Sequence, residues 1–193
     1  MGTLKTKKMT AAEFAVRYAD RDERVELICG EVHEMSPALP PHGMQVVRIT
    51  LPIAQFVQER GLGEVFGAET GFTIRHPDGT ESVRAPDLAF ISAERLPPDL
   101  PQSFWEIAPD LVVEVLSPSE SQPYVQQKTA MWLAAGVRLV WNVDPYRKTV
   151  TVHRADGSTQ TLKPGDTLSG EDVLPGFELP VSQIFQPVRS RLR

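Results

Sequence analysis

Glu114 stands in the middle of Asp110–Leu116 (DLVVEVL), the most apolar strand-like run of the chain. An ionised carboxylate buried there alone would cost several kcal/mol. A cation, a metal or a hydrogen-bond network has to hold it, unless it sits on an exposed strand edge or in a plain salt bridge. Asp87 follows Pro86, which fixes the local backbone and removes a donor, and it opens a second apolar run, Leu88–Ile91. Two carboxylates at similar heights on neighbouring strands can share a hard divalent cation through oxygen ligands; an Asp that only ends a turn is the ordinary alternative. Lys128 lies fourteen positions beyond Glu114. A helix that leaves a strand packs back over it, so an inward-facing Lys128 reaches the carboxylates, whereas a surface lysine would snorkel to water. Two acids and one amine in a single pocket would make a divalent-cation site with a positive charge beside it.

The elements that must position these groups can be read from spacing. Residues Gln122 to Ala135 predict a helix ended by Gly136, and Val137 to Val143 a second buried strand. The Asp110–Leu116 and Val137–Val143 strands are then parallel neighbours joined by a right-handed crossover. Upstream, Thr10-Ala-Ala-Glu13 has the capping-box form and predicts a helix to about Ala19. The run RVELICGEVHEMS predicts a β-hairpin punctuated by Gly30. His42 to Arg60 carries Val47, Leu51, Ala54 and Val57 at helical spacing across Pro52, which predicts one kinked helix. Glu64 to Arg75 predicts one or two strands broken near Gly71, and Asp78-Gly79 a turn. Pro86 to Ser92 predicts a strand, followed by a proline-rich excursion from Leu96 to Pro109. Turns at Asp144–Arg147 and Asp156-Gly157 separate strands Thr149–Arg154 and Thr159–Lys163, and short extended pieces close the chain. The expected class is α/β (α+β), a mixed β-sheet flanked by helices with an N-terminal helix and β-hairpin. One domain is expected over 1–193, with its core at about 25–185.

Composition narrows the functional classes. The 193 residues are 41% hydrophobic and 23% charged, which suits a folded globular domain. The net charge of -5 argues against a constitutive nucleic-acid coat but not against an enzyme that acts on nucleic acid. The single cysteine, Cys29, excludes an internal disulfide framework and a Cys-rich zinc site, and suits a reducing, cytoplasmic compartment. No apolar run is long enough to span a membrane, and the charged N-terminus leads into no secretory h-region. The basic stretches at Lys5–Lys8 and Val188–Arg193 are expected to be solvated termini.

The segments RAPDLAFIS, APDLVVEVLSPS, KTAMWLAAGVRLVWNVDP and LSGEDVLPGFELPV, with ELICGEVHEMSP ahead of His42-Gly43, resemble the Uma-two family, described as restriction endonucleases. The resemblance runs from about Val25 to Phe185 and places the chain in the PD-(D/E)XK nuclease superfamily. It implies a restriction-endonuclease-like core in which Asp87 and Glu114 hold Mg²⁺, with Mn²⁺ as a substitute. The superfamily pattern puts lysine two residues after the second acid, where this chain has Leu116. The resemblance implies that Lys128, from the following helix, takes that place. His42, at the start of the first core helix, is implied as a further polar group, and Glu31 on the hairpin as a weaker one. The Val115 carbonyl would lie beside the metal as a third ligand.

The implied reaction is hydrolysis of DNA phosphodiester bonds by a homodimer. Mg²⁺ would supply Lewis acidity and lower the pKa of its water. Lys128 would orient or help deprotonate that water and offset phosphate charge, and His42 would contact the phosphate or relay a proton. The alternative is a catalytically inactive relative that binds nucleic acid or self-assembles. Other motifs carry little: Ser117-Pro-Ser119 lacks a nucleophile elbow, His33-Glu34 lacks a second zinc-spaced His, and Gly61-Leu-Gly63 lacks a third glycine. Trp132 and Trp141 are expected in the core. Arg84, Arg138 and Arg147 either line a phosphate track or sit on a solvated surface.

Overall fold

The capping box at Thr10 does what its residues predict. The Glu13 amide donates to Thr10 Oγ1 at 3.1 Å, and the Thr10 amide donates back to Glu13 Oε2 at 2.9 Å, opening α1 (Ala11–Tyr18). The computed structural model describes residues 8–18 and 21–187; the basic stretches at the two termini fall outside these, apart from Lys8, and so does Ala19. The hairpin follows as β1 (Val25–Ile28) and β2 (Glu31–Glu34), closed by Cys29 and Gly30 at φ 48° and 79°. Two positive φ angles in a two-residue loop match the right-handed twist of the paired strands.

The helix expected from His42 begins two residues earlier. α2 (Pro40–Arg60) uses a proline in its first turn, where the missing N–H costs nothing, and runs unbroken through Pro52 to a left-handed Gly61. Its buried stripe is Ile49, Ile53 and Val57 rather than the expected Val47, Leu51, Ala54 and Val57, because the helix turns Val47 and Leu51 to the exposed side. The Glu64–Arg75 region splits into β3 (Gly63–Gly67) and β4 (Phe72–Arg75), which join different sheets. β5 (Glu81–Arg84) was not expected, because its buried positions include the polar Ser82 and Arg84. β6 (Leu88–Ser92), β7 (Leu111–Val115), α3 (Gln122–Ala134) and β8 (Leu139–Asp144) fall where spacing puts them. β9 (Thr149–Arg154), β10 (Thr159–Leu162), β11 (Thr167–Ser169), β12 (Glu178–Pro180) and α4 (Val181–Ile184) complete the chain.

A six-stranded sheet in the order β10-β9-β8-β7-β6-β3 carries the core. Its β7–β8 pair is parallel, with Leu111 beside Leu139 and Glu114 beside Asn142, and the α3 crossover joins them as expected. The other neighbours are antiparallel. Strand alternation divides the side chains. Leu88, Phe90, Leu111, Val113, Leu139 and Trp141 pack with α2 and the C-terminal segment. Ala89, Ile91, Val112 and Val140 pack with Trp132 of α3 and with Phe72 and Trp105. Glu114 therefore shares the α3 face. A second sheet, β2-β1-β5-β4, carries the hairpin beside this face, and β11 and β12 form a separate ribbon. No helix among the described residues is long and apolar enough to cross a membrane.

Gly63 lets β3 approach β6. It has φ 148°, and a Cβ there would lie 2.1 Å from the Ile91 carbonyl oxygen. Gly63→Ala is expected to cost about 1–3 kcal/mol in urea unfolding, as for an overpacked core. Gly43→Ala, in α2 with nothing within 4 Å of the new Cβ, should instead gain about 0.5–1 kcal/mol. Equal effects would contradict the close approach at Gly63.

Candidate active site

The register of β6 against β7 sets the two acids. Leu88 pairs with Val113 in an antiparallel ladder, so one step further brings Asp87 opposite Glu114. The Val115 amide donates to Asp87 Oδ2 at 2.7 Å, which locks the aspartate to the end of β7. His42, in the first turn of α2, places Nε2 3.4 Å from the same oxygen. This bond to Asp87 holds the His42 pKa above its ordinary value despite partial burial, and the nearby Glu120 and the Val115 carbonyl add to the effect. The contact with Asp87 thus stabilises the protonated ring relative to a free histidine.

Helix α3 supplies the other half. Tyr124, Lys128 and Trp132 recur every fourth residue, one helical face. Lys128 Nζ donates to Glu114 Oε2 at 2.7 Å, and Trp132 Nε1 donates to Glu114 Oε1 at 2.8 Å. Burial drives the Glu114 carboxyl above its usual range, and the Asp87 charge adds to this; Lys128 and Trp132 pull it part of the way back. On Lys128, burial works against the charge but the attraction of Glu114 prevails, so the ammonium holds its proton firmly. The pair is an ion pair in a largely dry setting, fixed by hydrogen bonds on both sides of the carboxylate.

A second buried pair lies behind it. Arg84 is fully buried, with Nε 3.2 Å from Glu26 Oε2, close but without hydrogen-bond alignment. Glu26 Oε1 accepts from the Ala85 amide at 3.0 Å, and Arg84 Nη2 donates to the Tyr124 hydroxyl at 2.9 Å. Arg84 thus faces inward and forms no part of a surface track. Arg138 and Arg147 are half-exposed to exposed and paired with Asp172 and Asp144. Trp132 and Trp141 are in the core, as expected.

A cavity of about 430 Å³ opens on these groups, and its walls include His42, Asp87, Glu114, Val115 and Lys128 together. His42, Asp87, Glu114, Val115 and Lys128 are thus brought to one place. Glu31 is not; it is exposed on the hairpin and pairs with Lys8. Among the described residues no group of three or more His, Cys, Asp or Glu side chains forms a ready metal cage. The donors available to a cation are the Asp87 and Glu114 carboxylates and the Val115 carbonyl. All are oxygens, and the mutual repulsion of the two acids is what a cation would relieve, so the set fits a hard divalent ion.

Tyr124, Glu26, the buried pairing of Arg84 and the Trp132 N–H were not anticipated. Counting back and forward four residues from Lys128 finds Tyr124 and Trp132. The Glu26–Arg84 pairing joins β1 to β5 across a long sequence separation and leaves no local signal.

A mixed sheet flanked by helices, with a parallel β7–α3–β8 unit at its centre, defines an α/β domain. The chain belongs to the Uma2 family, described as "Putative restriction endonuclease", whose model matches residues 11–182. It is also similar in fold to a crystal structure described as "a putative nuclease belonging to DUF820 from Anabaena variabilis ATCC 29413". That likeness has a TM-score of 0.76 at 23% identity and covers 92% of this chain and 97% of the other. No curated protein matches the chain.

Lys128→Met strands the Glu114 carboxylate and is expected to cost about 3 kcal/mol in urea unfolding near neutral pH. The double variant Lys128→Met/Glu114→Gln should recover most of that. With Lys128 gone, burial keeps the folded Glu114 pKa above its unfolded value, so the folded state binds the extra proton. The deficit of Lys128→Met therefore shrinks as pH falls from neutrality into the mildly acidic range. A deficit that is flat with pH, or additive in the double variant, contradicts a buried ion pair.

Proposed function

We propose that this chain is an Mg²⁺-dependent endonuclease that hydrolyses phosphodiester bonds of DNA. The observation that carries the reading is the convergence of Asp87, Glu114, the Val115 carbonyl and Lys128 on one cavity. Asp87, Glu114 and the Val115 carbonyl would hold the cation. When bound, Mg²⁺ (or Mn²⁺) supplies Lewis acidity and positive charge toward the phosphate.

The protein's own groups do the rest. Lys128 keeps its proton, so it serves as a fixed positive charge and a donor toward phosphate or attacking water rather than as a base. His42, 3.4 Å from Asp87 through Nε2, is a further polar group that would contact the phosphate or relay a proton. Asp87 and Glu114 are oriented by the Val115 amide, Lys128 and the Trp132 indole. None of the four has to reorganise as charge develops.

The reading includes a two-fold dimer that offers one cavity to each strand. Val47 and Leu51, exposed one turn apart on α2, are apolar residues available to such a contact. Sedimentation as a monomer at micromolar concentration would remove this part. A second reading, a non-catalytic relative that binds nucleic acid or self-assembles, is favoured by Leu116 at the position of the superfamily lysine.

Purified protein is expected to cleave plasmid DNA in Mg²⁺ or Mn²⁺ and to stop in excess chelator. Asp87→Ala should lower the rate by about 10²–10³-fold, the scale of losing a central electrostatic group. Calorimetric titration of Mn²⁺ should show binding that disappears in Glu114→Gln. Cleavage that survives chelator or Asp87→Ala rejects the metal site. Absence of both cleavage and Glu114-dependent binding favours the second reading.

A further inference from the structure

Tyr124 lines the cavity but takes no part in holding Asp87 or Glu114. It sits one turn before Lys128 on the same face of α3. Its hydroxyl lies 2.9 Å from Arg84 Nη2. A guanidinium carries donors only, so the Tyr124 oxygen must accept this bond and its own proton must point elsewhere. Arg84 cannot swing away, because it is fully buried between Glu26 and Tyr124. Among the described residues the Tyr124 proton meets no protein acceptor, and the residue borders the cavity. A hydroxyl that accepts from a cation is also polarised into a stronger donor.

The other groups around it are partly engaged by the protein. Lys128 spends one N–H on Glu114, and His42 is held by Asp87. The Ser117 and Ser119 hydroxyls are 3.0 Å apart, so one of them donates to the other. Glu26, Glu34, Asp87, Glu114 and Glu120 all reach the cavity, so an incoming anion depends on a few oriented donors. We propose that the Tyr124 hydroxyl is such a donor, binding a non-bridging oxygen of the scissile phosphodiester beside the Lys128 ammonium. The identity of that phosphate rests on the nuclease reading above.

The experiment compares wild type with Tyr124→Phe, and with Tyr18→Phe on α1 as a control. Affinity for a fluorescein-labelled DNA duplex is measured by anisotropy without added metal, and cleavage is measured in Mg²⁺. Tyr124→Phe should weaken binding about tenfold, the worth of one hydrogen bond to a charged group, and slow cleavage at least as much. Tyr18→Phe should change neither. Wild-type behaviour of Tyr124→Phe in both assays overturns the proposal.

If Tyr124→Phe unfolds because Arg84 has lost its acceptor, 2,3,5-trifluorotyrosine is placed at position 124 instead. It keeps the ring and the oxygen, but its hydroxyl ionises several units lower, so binding should fall as pH is raised through neutrality. A profile that parallels wild type overturns the proposal. Wild-type protein that binds DNA through Tyr124 and cuts none rejects the nuclease reading and leaves this one standing. Protein that neither binds nor cuts DNA removes both.

Discussion

A carboxylate inside a strand covered on both faces is the constraint from which the site follows. Glu114 is buried among valines, beside Asn142 on the neighbouring strand and beneath α3. Solvent cannot stabilise its charge, so the protein must. Lys128 and Trp132 do so from successive turns of α3, which sets the rotation of that helix over the sheet. The same rotation turns Tyr124 toward Arg84 and the cavity. Asp87 is then anchored to the amide of the residue after Glu114, and His42 to Asp87. The chain of contacts ties α2, β6, β7 and α3 to one buried acid.

The two sheets divide the work. The six-stranded sheet delivers Asp87, Glu114 and Val115, while the smaller sheet adds Glu26 to the cavity wall, with the buried Arg84 paired behind it. Both ion pairs are removed from water, and each is completed by neutral donors or acceptors: an indole for one, a backbone amide and a phenol for the other. Such arrays are costly to break one member at a time. That makes the cavity wall rigid before any ligand enters, which is the condition for electrostatic action without reorganisation.

Much of this was legible from residue order. The parallel β7–α3–β8 unit follows from two apolar runs separated by a helical stretch, and the oddity of Glu114 within one of them points to the site. Asp87 at a strand entry and Lys128 one crossover away are candidates with ordinary alternatives on spacing alone, and the family resemblance singles them out. What spacing could not show depends on non-local pairing. β5 reads as polar because Ser82 and Arg84 are buried by partners from other segments. Glu26 looks like an ordinary outward residue of a hairpin until β1 pairs with β5. The break between β3 and β4 was visible at Gly71, but their assignment to separate sheets was not.

Carrying the amine on a helix rather than on the strand also guards the alignment of the sheet. Had the lysine stood at position 116, a one-residue slip of β7 would have carried acid and amine to the opposite side together. With Lys128 on α3, the same slip would turn Glu114 toward Ile49 and Ile53 and abandon Lys128 on the original side. Position 116 is left to an apolar residue whose amide continues the ladder to Val143. Misaligned chains thus carry two unneutralised charges in dry surroundings, and the mispaired sheet is disfavoured by the groups that make up the site.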